Sequence, residues 1–105
     1  MGIGPAFAVP VAVERAGLKL DDVDIFELNE AFASQAVYTV QKLNIPIEKV
    51  NPKGGAIALG HPLGCTGARQ VATLFPELKR QNKRIGCTTM CIGSGMGMAA
   101  IWERE

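Results

Sequence analysis

The sequence predicts a single layered α/β unit built on a mixed sheet. Three observations lead there. Segments with helical spacing alternate with short β-branched or aromatic runs, in the order α–β–α–β–α–β–β. The 105 residues are 48% hydrophobic and 20% charged, which suits one packed core and not a disordered chain. Glycine-rich turns follow two of the apolar runs, the places where ligands approach the strand ends of such sheets.

Each element has a local cause. Pro5 to Ala16 is rich in Ala and Val and is stopped by Gly17, so it predicts a helix in which Pro10 is tolerable only in the first turn. Leu20-Asp21-Asp22 is a turn. Asp24-Ile25-Phe26-Glu27-Leu28 predicts a strand. Glu30 to Leu43 predicts a helix with Ala33, Ala36, Val37, Val40 and Leu43 on one face. Asn44 to Val50 is a loop containing Pro46. Gly55-Ala56-Ile57-Ala58-Leu59 is a compact apolar run, counted as the second strand.

From about Thr66, the residues Ala68, Val71, Ala72, Phe75 and Leu78 recur at helical spacing. Pro76 excludes a hydrogen bond to the Ala72 carbonyl, so a bend or local break is expected between Ala72 and Pro76. Gln81-Asn82-Lys83 closes that helix. Strands follow at Arg84–Met90 and Met98–Glu103, with the glycines between them forming a loop.

Composition excludes several classes. The formal net charge is +1 with no basic run, which removes the electrostatic case for nucleic acid. No apolar run approaches the roughly 20 residues of a membrane span. Met1-Gly2-Ile3-Gly4 has no basic start, so no signal peptide is expected, and Glu103-Arg104-Glu105 is no recognised address. Three cysteines are an odd number, against a disulfide framework. Cys87 and Cys91 on one strand stand roughly 13 Å apart, too far to bridge. All three are expected reduced, with Cys65 and Cys87 as inert core thiols.

Three segments carry chemistry. His61, the only histidine, lies in Gly60-His61-Pro62-Leu63-Gly64-Cys65-Thr66-Gly67, where flanking glycines let backbone or ligand come close. Cys91 ends a strand and enters Gly93-Ser94-Gly95-Met96-Gly97, a turn rich in free amide groups. Asn29 follows a strand and precedes a helix, and so is an excellent N-cap candidate. Other motifs fail. There is no dinucleotide or phosphate-loop pattern, and Asp21, Asp22 and Asp24 lack calcium-loop spacing. His61 with Cys87 and Cys91 lacks the short inter-ligand loop of a zinc site, so no metal is expected.

The run Gly54 to Arg69, the segment Asn29-Glu30-Ala31-Phe32 and the run Cys91 to Gly97 together closely resemble the C-terminal half of thiolases, most of all the degradative 3-ketoacyl-CoA thiolases. The resemblance covers essentially the whole chain. It implies a thiolase-like layered α-β-α unit, residues 1–105, as a C-terminal domain without its opening strand, the loop domain and the N-terminal domain.

It also implies roles. His61 takes the proton of a nucleophilic cysteine and helps hold the thioester oxygen. Cys91 protonates the departing acetyl-CoA carbanion and then deprotonates the incoming CoA thiol. The Gly93 N–H forms half of an oxyanion hole, completed by the amide of a cysteine in the N-terminal half. Asn29 fixes a water beside His61, and Ala31, Phe32 and Leu63 contact substrate. No cofactor is implied, since CoA is itself a substrate.

Implied partners are 3-ketoacyl-CoA, CoA, the N-terminal thiolase half and further copies in a homo-oligomer. The implied compartment is the peroxisome, with mitochondrion or cytoplasm as alternatives. Pro76 and Thr88-Thr89 depart from the family pattern. Asn29, His61, Cys91 and Gly93 are expected to converge at one edge of the sheet, and the isolated chain to lack turnover. The competing reading is a non-catalytic acyl-CoA-binding or interaction domain of the same fold.

Overall fold

The sheet contains one parallel and one antiparallel pairing, and the connections dictate which is which. Strands β1 (Ile25–Leu28) and β2 (Ile85–Ile92) are joined by a long helical crossover, so they pair in parallel, with Ile25 opposite Gly86 and Leu28 opposite Thr89. Strands β2 and β3 (Met96–Glu103) are joined by three residues and form an antiparallel hairpin from Ile92–Met96 to Ile85–Glu103. The order is β1-β2-β3. A computed structural model describes residues 2–105.

Helices cover both faces. On one lies α1 (Gly4–Arg15), with α2 (Ala33–Leu43) packed against it. On the other lies α4 (Thr66–Arg80), preceded by the single turn α3 (Ala56–Leu59). Strand alternation divides the core accordingly. Phe26 and Cys87 pack with Val9, Val13, Val23 and Ile45 toward α1, whereas Ile25 packs with Leu74 and Leu78, flanked by Trp102, toward α4. The expected layered α-β-α unit with a mixed sheet is therefore observed. Among the described residues no helix is long and apolar enough to cross a membrane.

Several expectations fail locally. Gly55–Leu59 is not a strand: Ala56–Leu59 forms one helical turn, and the backbone beside β1 is instead a single bridge from Phe26 to Val50. The five-residue run is too short for periodicity to distinguish the two states, and a distant carboxylate decides it (below). Helix α2 starts at Ala33 rather than Glu30. Its buried residues are Gln35 and Thr39, while Val37 is 54% exposed. The buried polar pair is satisfied by hydrogen bonds: Gln35 Nε2 donates to the Gly2 carbonyl and the Thr39 hydroxyl to the Gln35 carbonyl.

Helix α4 likewise buries Thr66, Gln70, Leu74, Glu77 and Leu78, with Ala68 and Ala72 exposed. The predicted break at Pro76 is absent, since α4 is helical from Thr66 to Arg80. Pro76 and Ala72 share the solvent side, so the carbonyl the proline cannot engage is open to water, and buried Leu74 and Leu78 anchor both flanks. Pro10 sits in the middle of α1 rather than in its first turn, on an exposed position between the buried anchors Ala6, Val9 and Val13. The polar Thr88-Thr89 of β2 is also accounted for. Trp102 Nε1 donates to Thr88 Oγ1 at 2.9 Å, and Thr89 Oγ1 donates to the Met98 carbonyl at 2.8 Å.

The start of α1 is seated directly on the hairpin through two glycines. A Cβ on Gly97 would lie 2.3 Å from the Gly4 carbonyl oxygen, and backbone cannot retreat as a side chain can. Gly97→Ala is therefore expected to push the first turn of α1 off β3 and to destabilise the chain by about 1–3 kcal/mol. Thermal unfolding checks this: for a domain of this size the expected drop in Tm is roughly 4–8 °C per kcal/mol, and an unchanged Tm would mean that the contact is not tight.

Candidate active site

The site is built at the carboxyl ends of β1 and β2. One residue beyond β1, the Asn29 N–H still donates to the Thr89 carbonyl at 2.9 Å, so Asn29 is held by the ladder and its side chain is fully buried. The outer edge of β1 is finished by a side chain. Asn51 accepts from the Leu28 N–H (2.8 Å) and donates to the Leu28 carbonyl (2.7 Å), as a neighbouring strand would. It does so from a left-handed backbone, φ 47°, which asparagine tolerates.

The same amide also donates to Glu30 Oε2 at 3.0 Å, and Glu30 Oε1 accepts the Ile57 N–H at 3.3 Å. This carboxylate at the opening of α3 fixes the turn that leads to the histidine. From the opposite side, Gln70 Nε2 donates to the carbonyls of Glu27 and Thr89, at 2.8 and 3.0 Å, pinning the ends of both strands to α4.

Gly60, at φ 103°, turns the chain out of α3 into His61-Pro62. His61 Nδ1 lies 2.5 Å from Thr66 Oγ1, and that hydroxyl lies 3.1 Å from the Pro62 carbonyl. Thr66 is the first residue of α4 and is almost wholly buried. Asn29 Nδ2 is 3.4 Å from both ring nitrogens of His61. An atom equidistant from both at that range cannot lie in the ring plane without striking Cε1, so the amide sits over the ring face and not in line with either lone pair. Asn29 Oδ1 has no hydrogen-bond partner among the described residues.

The structure thus brings Asn29 and His61 into contact. Cys91 lies on β2 opposite Gly97, half-buried, and Gly93 lies in the hairpin turn with φ 55°. Both are at the same end of the sheet as Asn29. Strand alternation directs Cys91, with Cys87 and Thr89, toward the α1 face, whereas His61 arrives from the α4 side. Among the described residues the Cys91 thiol makes no hydrogen bond. Ala31 is half-buried in the loop after Asn29, Phe32 is 49% exposed and Leu63 81% exposed.

Two expectations need correction. Asn29 is not an N-cap: α2 is preceded by Phe32 without any side-chain cap, because Asn29 is committed to the ladder and to His61. Cys65 is not a core thiol but an exposed residue just before α4, since that side of the helix start faces solvent. Cys87 is fully buried, and burial pushes its thiol up to about 12, the inert residue expected.

Beneath the site, Arg69 Nη1 pairs with the buried Glu27 Oε1 at 2.9 Å. Burial raises the Glu27 carboxyl from an ordinary 4.5 to about 7, against the opposing pull of Arg69. Thr66, Asn51, Glu30 and Gln70 all escaped the sequence reading. Only Thr66 left a signal: a hydroxyl at the predicted helix start, five residues after the histidine.

An α-β-α domain with its polar groups gathered at the carboxyl ends of parallel strands defines a layered α/β domain with an end-of-sheet site. The family model for the thiolase C-terminal domain matches residues 1–104. The chain belongs to the thiolase family, as its C-terminal domain. It is 70% identical over 104 residues to mouse peroxisomal 3-ketoacyl-CoA thiolase B, covering 98% of this chain and 24% of that protein.

Among solved structures it resembles the five-layered peroxisomal 3-ketoacyl-CoA thiolase of Saccharomyces cerevisiae, with TM-score 0.91 and 63% identity over 97% of this chain and 29% of that one. It also resembles the dimeric peroxisomal thiolase of the same yeast, with TM-score 0.92 and 61% identity over 99% and 26%. The chain spans about a quarter of the length of the curated relatives it matches.

Proposed function

We propose that the chain is the C-terminal catalytic part of a 3-ketoacyl-CoA thiolase, which cleaves 3-ketoacyl-CoA with CoA to acetyl-CoA and a shortened acyl-CoA. In this reading a cysteine thiol from the N-terminal part of the enzyme gives its proton to His61. The thiolate attacks the 3-keto carbon, and the bond between carbons 2 and 3 breaks. Carbon 2 leaves as the acetyl-CoA carbanion and takes a proton from Cys91. The acyl group stays on the nucleophile as a thioester. Cys91, now a thiolate, removes the proton of incoming CoA, whose sulfur attacks the acyl carbon and releases the shortened acyl-CoA.

Asn29 and a water beside His61 face one developing oxyanion. The Gly93 N–H faces the other. Ala31, Phe32 and Leu63 contact the acyl or pantetheine chain. The working enzyme is a homo-oligomer of the peroxisome, as the names of its relatives suggest.

The single observation that carries this reading is the buried Asn29 amide lying over the ring of the only histidine, at 3.4 Å. No core-packing requirement places two polar side chains together at a sheet end. The half-buried thiol and the hairpin glycine at that end complete the set of groups.

The isolated chain is expected to show no turnover, because each half-reaction needs one thiolate to carry the acyl group. Cys87 is buried and Cys91 is assigned to proton transfer. The test is a chimera in which this chain replaces the corresponding segment of the mouse peroxisomal enzyme. Acetyl-CoA release from a 3-ketoacyl-CoA and CoA is expected from the chimera and not from the chain alone. Turnover by the chain alone that is lost with Cys91→Ser would show that Cys91 is the nucleophile and that the assignment is wrong.

A further inference from the structure

We infer that Thr66 is a positioning residue that holds His61 in the tautomer protonated on Nδ1, so that Nε2 is the one nitrogen able to take a proton in the site. The inference deepens the assignment of His61 as the base and rests on it. Nδ1 is already engaged: Thr66 Oγ1 lies 2.5 Å away, too close to admit a substrate atom. Any proton exchanged with a substrate or nucleophile must therefore pass through Nε2.

A neutral imidazole has one N–H. If Nε2 is to accept, that hydrogen must sit on Nδ1, and Thr66 must then offer a lone pair to it. The hydroxyl's own proton needs an acceptor elsewhere. The Pro62 carbonyl provides it at 3.1 Å. This carbonyl cannot drift, because it also accepts the backbone N–H groups of Cys65 (2.9 Å) and Thr66 (3.1 Å) in the turn that opens α4.

The reverse arrangement, with the hydroxyl donating to Nδ1, places the ring proton on Nε2 and disables it as a base. Asn29 does not choose between the two, since its amide nitrogen is equidistant from both ring nitrogens. Burial matters as well. Thr66 is 2% exposed, so water is not available to substitute for its hydroxyl. When Nε2 gains its proton, the Nδ1–H to Thr66 bond stays as it was, and the ring changes state without rotating.

His61 is the only histidine, so ¹⁵N-histidine labelling of the 105-residue chain gives the signals of this ring alone. Measured in alkaline buffer, where the ring is neutral, the wild type is expected to show protonated Nδ1 and bare Nε2. Thr66→Ser is expected to keep that pattern. Thr66→Val is expected to lose it, the two nitrogen shifts moving toward each other as the tautomers mix.

A wild-type ring protonated on Nε2 overturns the inference, as does a Thr66→Val spectrum identical to wild type. If the valine variant does not fold, the wild-type and serine spectra still decide, since Nε2–H in either is fatal. In the chimera, Thr66→Val is expected to lower kcat about 10-fold or more with KM little changed, and serine to restore it. The base assignment fails separately: the tautomer can be as inferred while His61→Ala leaves the chimera active.

Discussion

Replacing His61 with alanine in the chimera is expected to lower the rate of thiolysis by roughly 10²–10⁴-fold, the range for loss of a positioned general base. That corresponds to about 2.7–5.4 kcal/mol of transition-state stabilisation. Two roles are lost together, proton removal from the nucleophile and a donor to the thioester oxygen. The deficit should therefore appear in kcat and in kcat/KM alike, since the lost contacts belong to the transition state. KM should move little, because CoA is recognised mainly outside this chain. Single-turnover measurement of acyl-enzyme formation separates acylation from product release. A fall of less than about 10-fold in acylation would leave His61 without its catalytic role and shift weight to the non-catalytic reading.

The second large effect concerns stability. Arg69→Met removes the cation beside Glu27, whose side chain is fully buried and whose only ion-pair partner is Arg69. Breaking a buried pair from one side typically costs about 3–5 kcal/mol, a large share of what a domain of this size has to lose. The loss should depend on pH in a definite direction. Burial already raises the Glu27 carboxyl in the folded chain to about 7 from 4.5.

Between those values the folded state binds more protons than the unfolded one. The Glu27 contribution is therefore fully present below pH 4.5 and is lost as pH rises through about 7. Without Arg69 the carboxyl rises further and the group can escape its penalty by taking a proton. The variant should thus be most damaged in alkaline buffer and nearest wild type in acid. Urea titrations across this range check both points. Glu27→Gln should flatten the pH dependence. A pH-independent loss in Arg69→Met would place the cost in lost packing of the arginine stem instead.

The parts of the fold legible in the sequence are those decided by neighbours. Strand β1 and the hairpin strands show as β-branched or apolar runs, and α1 as an Ala/Val helix closed by Gly17. The parts that were not legible are decided across long separations. Whether Ala56–Leu59 is strand or helix turns on the Glu30 carboxylate reaching the Ile57 amide from 27 residues away. The buried faces of α2 and α4 are misjudged because Gln35, Thr39, Gln70 and Glu77 are treated as polar and therefore outside. Each of the first three is buried with a backbone carbonyl to receive its proton, and Glu77 accepts from Arg80 and Gln81. The site shows the same split. Asn29, His61, Cys91 and Gly93 stand out by residue type and motif. Thr66 and Asn51 do not, because nothing in a threonine or an asparagine announces which distant group it meets.

The parallel pairing of β1 with β2 has a kinetic consequence. The β2–β3 hairpin closes over three residues and can form early, whereas β1 reaches β2 only when groups such as the Asp24 carboxylate and the Arg84 amide, 60 residues apart, find one another. Every contact that positions Asn29 against the rest of the sheet lies on the slow side of that step: Asn29 to Thr89, Gln70 to both strands, Arg69 to Glu27. A nascent chain holding its hairpin and its helices therefore has no site at all. Under partial denaturation the catalytic end of the sheet should come apart while the hairpin at its edge still persists, so loss of substrate chemistry would report the opening of the β1–β2 seam before any loss of strand content.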